Sequence, residues 1–250
     1  MSRAMKTTLR SLCAAVLLLP GLLLASSGVK LEHARYDLTD KASLQRGART
    51  FVNYCLSCHS AAYMRFNRLQ DLGLSEEQIE KNLLFSAEKV GDTMNIAMNK
   101  KDAKEWFGAP PPDLSVVARS RGADWLYSYM RGFYRDDTRP NGWNNTVFDK
   151  VGMPHVLWQL QGNQVLKVEK VAASDHGEAH ENKTLVLEKQ GSMTPSEYDA
   201  MVSDLVNFLV YMGEPAKTAR MQLGIIVLLM LGVLFVLAYY LKKEYWRDIH

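Results

Sequence analysis

Cysteine is scarce in this chain, three among 250 residues, which excludes a small fold stapled by many disulfides. Internal repeats and long low-complexity tracts are also missing, so solenoid and propeller architectures drop out. A surplus of one charge is missing too. Between residues 28 and 241 there are 24 basic and 25 acidic residues, and nucleic-acid binding, driven by counter-ion release, has no basic excess to act through. The acids cluster only locally, at Asp136 and Asp137 and over residues 174–181, which read as solvated loop surface.

Two long apolar runs stand out against this background. Residues 1–27 carry Arg3, Lys6 and Arg10 with no acid, then an apolar run from Leu12 to Leu24, then Ala25, Ser26 and Ser27. That layout predicts a secretory signal cleaved after Ser27; as a retained anchor the run is too short. Cys13 does not suit a lipoprotein, because Leu12 precedes it where a small residue is needed. The second run, residues 221–241, is uncharged and long enough to cross a hydrocarbon core of about 30 Å. Lys242, Lys243 and Arg247 follow it, and with an exported N-terminal side they put the tail in the cytoplasm. No face of this run is polar, which argues against a buried core helix.

The intervening stretch is the size of one domain and its apolar spacing is mostly helical. Leu44, Gly47, Phe51 and Tyr54 share one helical face, with Asp40 or Ser43 as N-cap. Gly47 adds no side chain to that face, so another helix can approach closely there. A capping box at Ser75 and Gln78 predicts a solvent-facing helix ending at Gly91. Pro110, Pro111 and Pro112 impose a stiff extended loop feeding a short helix after Asp113. Thr194, Pro195 and Glu197 start a helix running to about Gly213, with Met201, Leu205, Phe208, Leu209 and Met212 as its apolar stripe. Only residues 165–171 and 183–190 read as strands, forming one small hairpin.

Two of the three cysteines fall in "CLSCH", residues 55–59. A disulfide there closes too small a loop to restrict the unfolded chain much. A redox dithiol needs a βαβ setting, whereas the flanks are helical. Zinc needs further ligands at finger spacing, and no third cysteine remains after signal removal. C-x-x-C-H is the attachment pattern of c-type haem: Cys55 and Cys58 form thioethers, and His59, forced beside the ring, supplies a nitrogen to iron. Export supports this, since such haem is attached outside the cytoplasm.

The opposite axial position has two candidates. Met153 sits in "KVGMPHVLW", where Gly152 permits close backbone approach and Pro154 stiffens the loop. A thioether ligand favours ferrous iron and a high potential. His155 is the rival, and a bis-histidine site has a lower potential. Arg119 and Arg121 are each placed to hold a haem propionate or simply to face solvent. Pro112 and Trp125 are each suited to the haem face or to the core.

The signal, CLSCH, "PPDLSVVARSR" (111–121), "GMP" (152–154) and a C-terminal span occur in the order that resembles the cytochrome c1 family, haem subunits of quinol:cytochrome c reductase (cytochrome bc1) complexes. The resemblance implies a mainly α, class I cytochrome c-like haem domain with insertions, a small β hairpin and one transmembrane helix. It implies a signal at 1–27, a periplasmic haem domain at 28–219, a span at 220–241 and a tail at 242–250, in a bacterial inner membrane. It implies one covalent haem c on Cys55 and Cys58, iron held by His59 and Met153, Arg121 and Trp125 at the propionates and Tyr63 near the haem edge; Pro112 joins them as a haem-contact candidate from its place in the proline loop. The partners implied are cytochrome b, a Rieske iron-sulfur protein as donor and a cytochrome c as acceptor; the subunit would not be an enzyme on its own. Some relatives carry a disulfide near the Met loop, which this chain cannot form, so that loop relies on packing. A free-standing anchored shuttle is the alternative within the class, and a haem peroxidase with an open iron site is the alternative outside it.

Overall fold

Asp40 opens the first helix by accepting a hydrogen bond from the Ser43 amide (3.0 Å), which settles the choice of N-cap. The computed structural model describes residues 31–171 and 180–247; the expected signal and most of the acidic stretch 174–181 lie outside the described residues. In chain order the helices are α1 (Lys41–Thr50), α2 (Glu76–Asn82), α3 (Lys100–Phe107), α4 (Val117–Arg121), α5 (Ala123–Arg131), α6 (Trp158–Gln161), α7 (Pro195–Gly213) and α8 (Lys217–Tyr245). A π-helical turn, Phe51–Cys55, continues α1. The strands pair as three antiparallel two-stranded sheets: β1 (Ala61–Arg65) with β2 (Thr93–Met94), β3 (Phe133–Arg135) with β4 (Trp143–Asn145), and β5 (Gly162–Val171) with β6 (His180–Gln190).

The core is organised by α7, whose capping box at Thr194 and Glu197 and first-turn proline form as expected. It crosses α1 at Gly47, where an added Cβ would lie 2.0 Å from the Asp204 carbonyl oxygen and 2.7 Å from Phe208 Cβ. Close approach lets Phe51 and Phe208, both fully buried, pack with ring centroids 5.6 Å apart; such pairs add about 0.5–1.5 kcal/mol beyond burial. At the edge of the crossing Arg46 grips Asp204 with two prongs (2.6 and 3.0 Å). Further along α7, the Tyr198 hydroxyl donates to the Met130 carbonyl of α5 (2.9 Å) and Tyr211 to the Arg68 carbonyl (3.0 Å). Leu205, Phe208, Leu209 and Met212 are buried as the stripe requires.

Three features depart from the sequence expectation. The helix begun by the Ser75 box stops at Asn82 rather than Gly91. Residues 90–94 are drawn away from it instead, because the amides of Phe66 and Asn67 donate to the carbonyls of Asp92 and Val90 (3.1 and 2.6 Å) and β2 pairs with β1. That helix is also not purely solvent-facing, since Ile79 is fully buried. The pairs β1–β2 and β3–β4 are additional to the single hairpin expected, whose register matches Val165 with Val186 and Leu166 with Leu185.

The break between α7 and α8 is short. Only Glu214, Pro215 and Ala216 intervene, and Arg220 ties back to Glu214 (2.6 Å). Helix α8 has 29 residues, about 44 Å at 1.5 Å per residue, and is long and apolar enough to cross a membrane, with its apolar side chains exposed.

Gly47→Ala is expected to force α1 and α7 apart and destabilise the fold by about 1–3 kcal/mol, lowering Tm by roughly 2–12 °C. Gly91→Ala, where an added Cβ meets nothing within 4 Å, should leave Tm unchanged in the same thermal scan.

Candidate haem site

The π-helical turn widens the end of α1, and the Leu56 amide donates back to the Phe51 carbonyl (3.0 Å). The next turn closes on Cys55, whose carbonyl accepts from the amides of Cys58 (3.0 Å) and His59 (2.8 Å). Cys55, Cys58 and His59 therefore share one wall of a cavity of about 370 Å³. Both thiols are free. Burial, with Cys58 adding to it, pushes the Cys55 thiol up to about 12. Redox-active C-x-x-C sites lower a thiol's pKa, so the environment speaks against a dithiol catalyst.

The proline loop is tied to this wall along its length. Asp113 accepts from the Ser115 amide (2.8 Å) and the Ala62 amide (2.9 Å), the Leu114 amide donates to the Ser60 carbonyl (2.8 Å), and the Tyr63 amide donates to Ser115 Oγ (3.1 Å). Burial raises the Asp113 pKa, but the Ser115 and Ala62 hydrogen bonds outweigh it and the net shift is downward. So fastened, the loop sets the Pro112 carbonyl 2.7 Å from Nδ1 of His59. A carbonyl can only accept, so Nδ1 carries the proton and Nε2 is left as a lone-pair donor. Burial lowers the His59 pKa against the opposing pull of the Pro112 bond and Asp113, which keeps the imidazole neutral, the state a metal requires.

Met153 and Gly152 lie in the cavity lining with the CLSCH residues, as do Pro112, Arg121 and Trp125. Arg121 lies over the Trp125 ring, 5.1 Å to its centroid, and makes no ion pair among the described residues, leaving its guanidinium open to a carboxylate. Arg119 instead packs toward Gly213 of α7. His155 is absent from the lining. It is 2 % exposed, stacked on Phe133 (4.8 Å) and edge-on to Trp143 (5.1 Å), and burial drives its pKa to about 4. Tyr63, 83 % exposed, also lies outside the lining.

The Met loop is held without a disulfide. Asn141 Nδ2 donates to the Gly152 carbonyl (3.0 Å), Asn144 Oδ1 accepts from the Lys150 amide (2.8 Å), and Asn145 Nδ2 donates to the Tyr129 carbonyl (2.8 Å). Val151 and Leu157 are buried on either side of Met153, and a Cβ on Gly152 would press to 3.1 Å from the Phe107 carbonyl oxygen. Sequence reasoning missed this asparagine cluster and Tyr129. The run "NGWNN" (141–145) carries the side chains that form local turns, whereas nothing in the sequence pairs Tyr129 with Met153.

A haem fits these residues. The cavity is lined mainly by apolar groups such as Leu114, Val117, Leu126, Val156 and Leu209, its thiols and one imidazole are on a single wall, a thioether is available, and an unpaired guanidinium is at hand for a propionate. The model of the Cytochrome C1 family matches residues 32–249. A protein of Nitrosomonas europaea named ammonia monooxygenase gamma subunit is 54% identical over 97% of this chain and 99% of its own length. Cytochrome c1 of Allochromatium vinosum is 52% identical over 94% of this chain and 96% of its own length, and that of Rhodospirillum rubrum 30% over 84% and 83%. The motif, the cavity built around it and a family match across the whole described fold agree: the chain belongs to the cytochrome c1 family of haem-containing electron-transfer subunits.

Proposed function

We propose that this protein is a membrane-anchored electron carrier of a quinol:cytochrome c reductase, taking single electrons from a Rieske iron-sulfur protein and delivering them to a cytochrome c. A bound c-type haem supplies the reversible one-electron change at iron. Cys55 and Cys58 hold it by thioethers, and Nε2 of His59 and Sδ of Met153 bind the metal. The observation that carries this reading is that the CLSCH wall and Met153 line one cavity, with His59 locked in the metal-binding tautomer by Pro112. His155, buried between Phe133 and Trp143 outside that cavity, is left a packing role.

The other residues bind, orient and exclude water. Arg121, steadied on Trp125, pairs with a propionate through charge-assisted hydrogen bonds. Pro112 packs on the ring. Tyr63, exposed on the strand that follows His59 and outside the cavity lining, would stand near the haem edge. Were His59 and Met153 both to bind iron, no position would be left for peroxide, which would disfavour a peroxidase. Residues 1–27 act as an export signal, 28–219 form the periplasmic domain, 220–241 span the inner membrane of a bacterium beside cytochrome b, and 242–250 stay cytoplasmic. The junction of three residues between α7 and α8, clamped by Arg220 and Glu214, supports a subunit fixed in a complex over a roaming shuttle on a flexible linker. The name of the Nitrosomonas relative would put such a subunit beside an ammonia-oxidising enzyme instead, and partner isolation separates the two.

Purification in mild detergent is expected to bring down cytochrome b and an iron-sulfur subunit; isolation of a lone, fully active cytochrome, or of a monooxygenase in their place, contradicts the assignment. Met153→Leu is expected to lower the midpoint potential sharply while the haem stays attached, and His155→Gln to leave the potential near that of the parent protein. Potentiometric titrations with these two effects exchanged would make His155 the ligand.

A further inference from the structure

Among the described residues, the hydroxyl of Tyr129 has one hydrogen-bond partner, Sδ of Met153, at 3.4 Å. The tyrosine is on α5, 24 residues from the methionine, and has little freedom to leave it. Its ring stacks on Trp125 (4.7 Å between centroids, 11° between planes) and meets Phe133 edge-on (5.1 Å, 68°). Its carbonyl is bound by Asn145 (2.8 Å), from the same turn that holds the Met loop. The phenol is nearly buried and lines the cavity with Met153. A thioether sulfur has two lone pairs and is a weak acceptor, so a hydroxyl on one of them leaves the other free.

We propose that Tyr129 is a positioning and potential-setting residue for Met153: its hydroxyl occupies one lone pair of Sδ, directs the other toward the metal, and withdraws electron density from the sulfur. The inference rests on Met153 being the axial ligand. It parallels His59, where Nδ1 is held by Pro112 so that Nε2 is presented; both ligand side chains are thus aimed by a hydrogen bond at the atom or lone pair that iron does not use. Hydrogen bonding to a ligating atom makes it a poorer electron donor, which penalises ferric iron more than ferrous and raises the potential. The aromatic stack holds the phenol ring in place. Arg121, lying over Trp125, extends the same stack.

The test is Tyr129→Phe in the full-length, haem-loaded protein, read by potentiometric titration and by the near-infrared thioether-to-iron band of the oxidised form. The ring and its packing remain and only the hydroxyl is lost. The ferric-to-ferrous ratio at a fixed ambient potential is expected to rise about two- to fivefold, the size of a modest hydrogen bond, with haem content unchanged and the band retained but shifted. An unchanged potential and an unmoved band in Tyr129→Phe, with the band present in the parent protein, would overturn the role of Tyr129 while leaving Met153 as ligand. Absence of the band in the parent protein would overturn the ligation itself. Tyr129→Trp, which retains a donor but displaces it, should not restore the parental potential; restoration would overturn the dependence on hydroxyl geometry.

Discussion

The hydrogen bond from Nδ1 of His59 to the Pro112 carbonyl is the constraint around which the site is organised. It fixes which nitrogen is bare, and it does so only because the proline loop cannot drift. Three prolines remove backbone freedom from residues 110–112, and Asp113, Leu114 and Ser115 fasten the end of the loop to the backbone of residues 60–63. The chain that bears the imidazole therefore also carries the groups that hold its partner. A buried neutral histidine is the electrostatic consequence, and a neutral imidazole is what a metal site needs.

Packing carries this precision across the cavity. Helix α7 contributes Leu209 to the lining and crosses α1 at Gly47, about one helical turn before the π-helical turn that ends at Cys55. On its N-terminal half α7 is bonded to α5 through Tyr198 and through the two-pronged pair of Arg131 with Asp199 (2.5 and 3.1 Å). Helix α5 in turn carries Trp125 and Tyr129. The wall with the cysteines and the wall with the methionine are thus joined by one helix, and movement of α7 would disturb both. A cavity of this kind, mostly apolar with few polar groups at set points, weakens competition from water for every hydrogen bond inside it.

Much of this was legible in the sequence, and the remainder was hidden for physical reasons. The capping boxes at Ser75 and Thr194, the glycine at the helix crossing and the strand pair expected at 165–171 and 183–190 are local or strongly periodic signals, and the structure has all of them, the strands running a few residues longer. The early end of α2 and the pairing of β1 with β2 were not legible, because a strand of two residues, Thr93–Met94, has no periodicity and exists only through its partner. For the site, CLSCH announces its chemistry by spacing alone. Choosing between Met153 and His155 cannot be done by spacing, since both stand in the same loop; burial between Phe133 and Trp143 distinguishes them only in three dimensions. Tyr129 is a further step removed, a helical aromatic whose hydroxyl reaches Met153 through a contact no local pattern encodes.

The proposed function requires a haem joined to both cysteines in this cavity, with His59 and Met153 as the two ligands of its iron. A crystal structure of the haem-loaded protein tests this most directly. It is predicted to have Nε2 of His59 and Sδ of Met153 coordinated to iron on opposite faces, with Nδ1 still on the Pro112 carbonyl. An iron with an open sixth position, or with His155 bound in place of Met153, would contradict it.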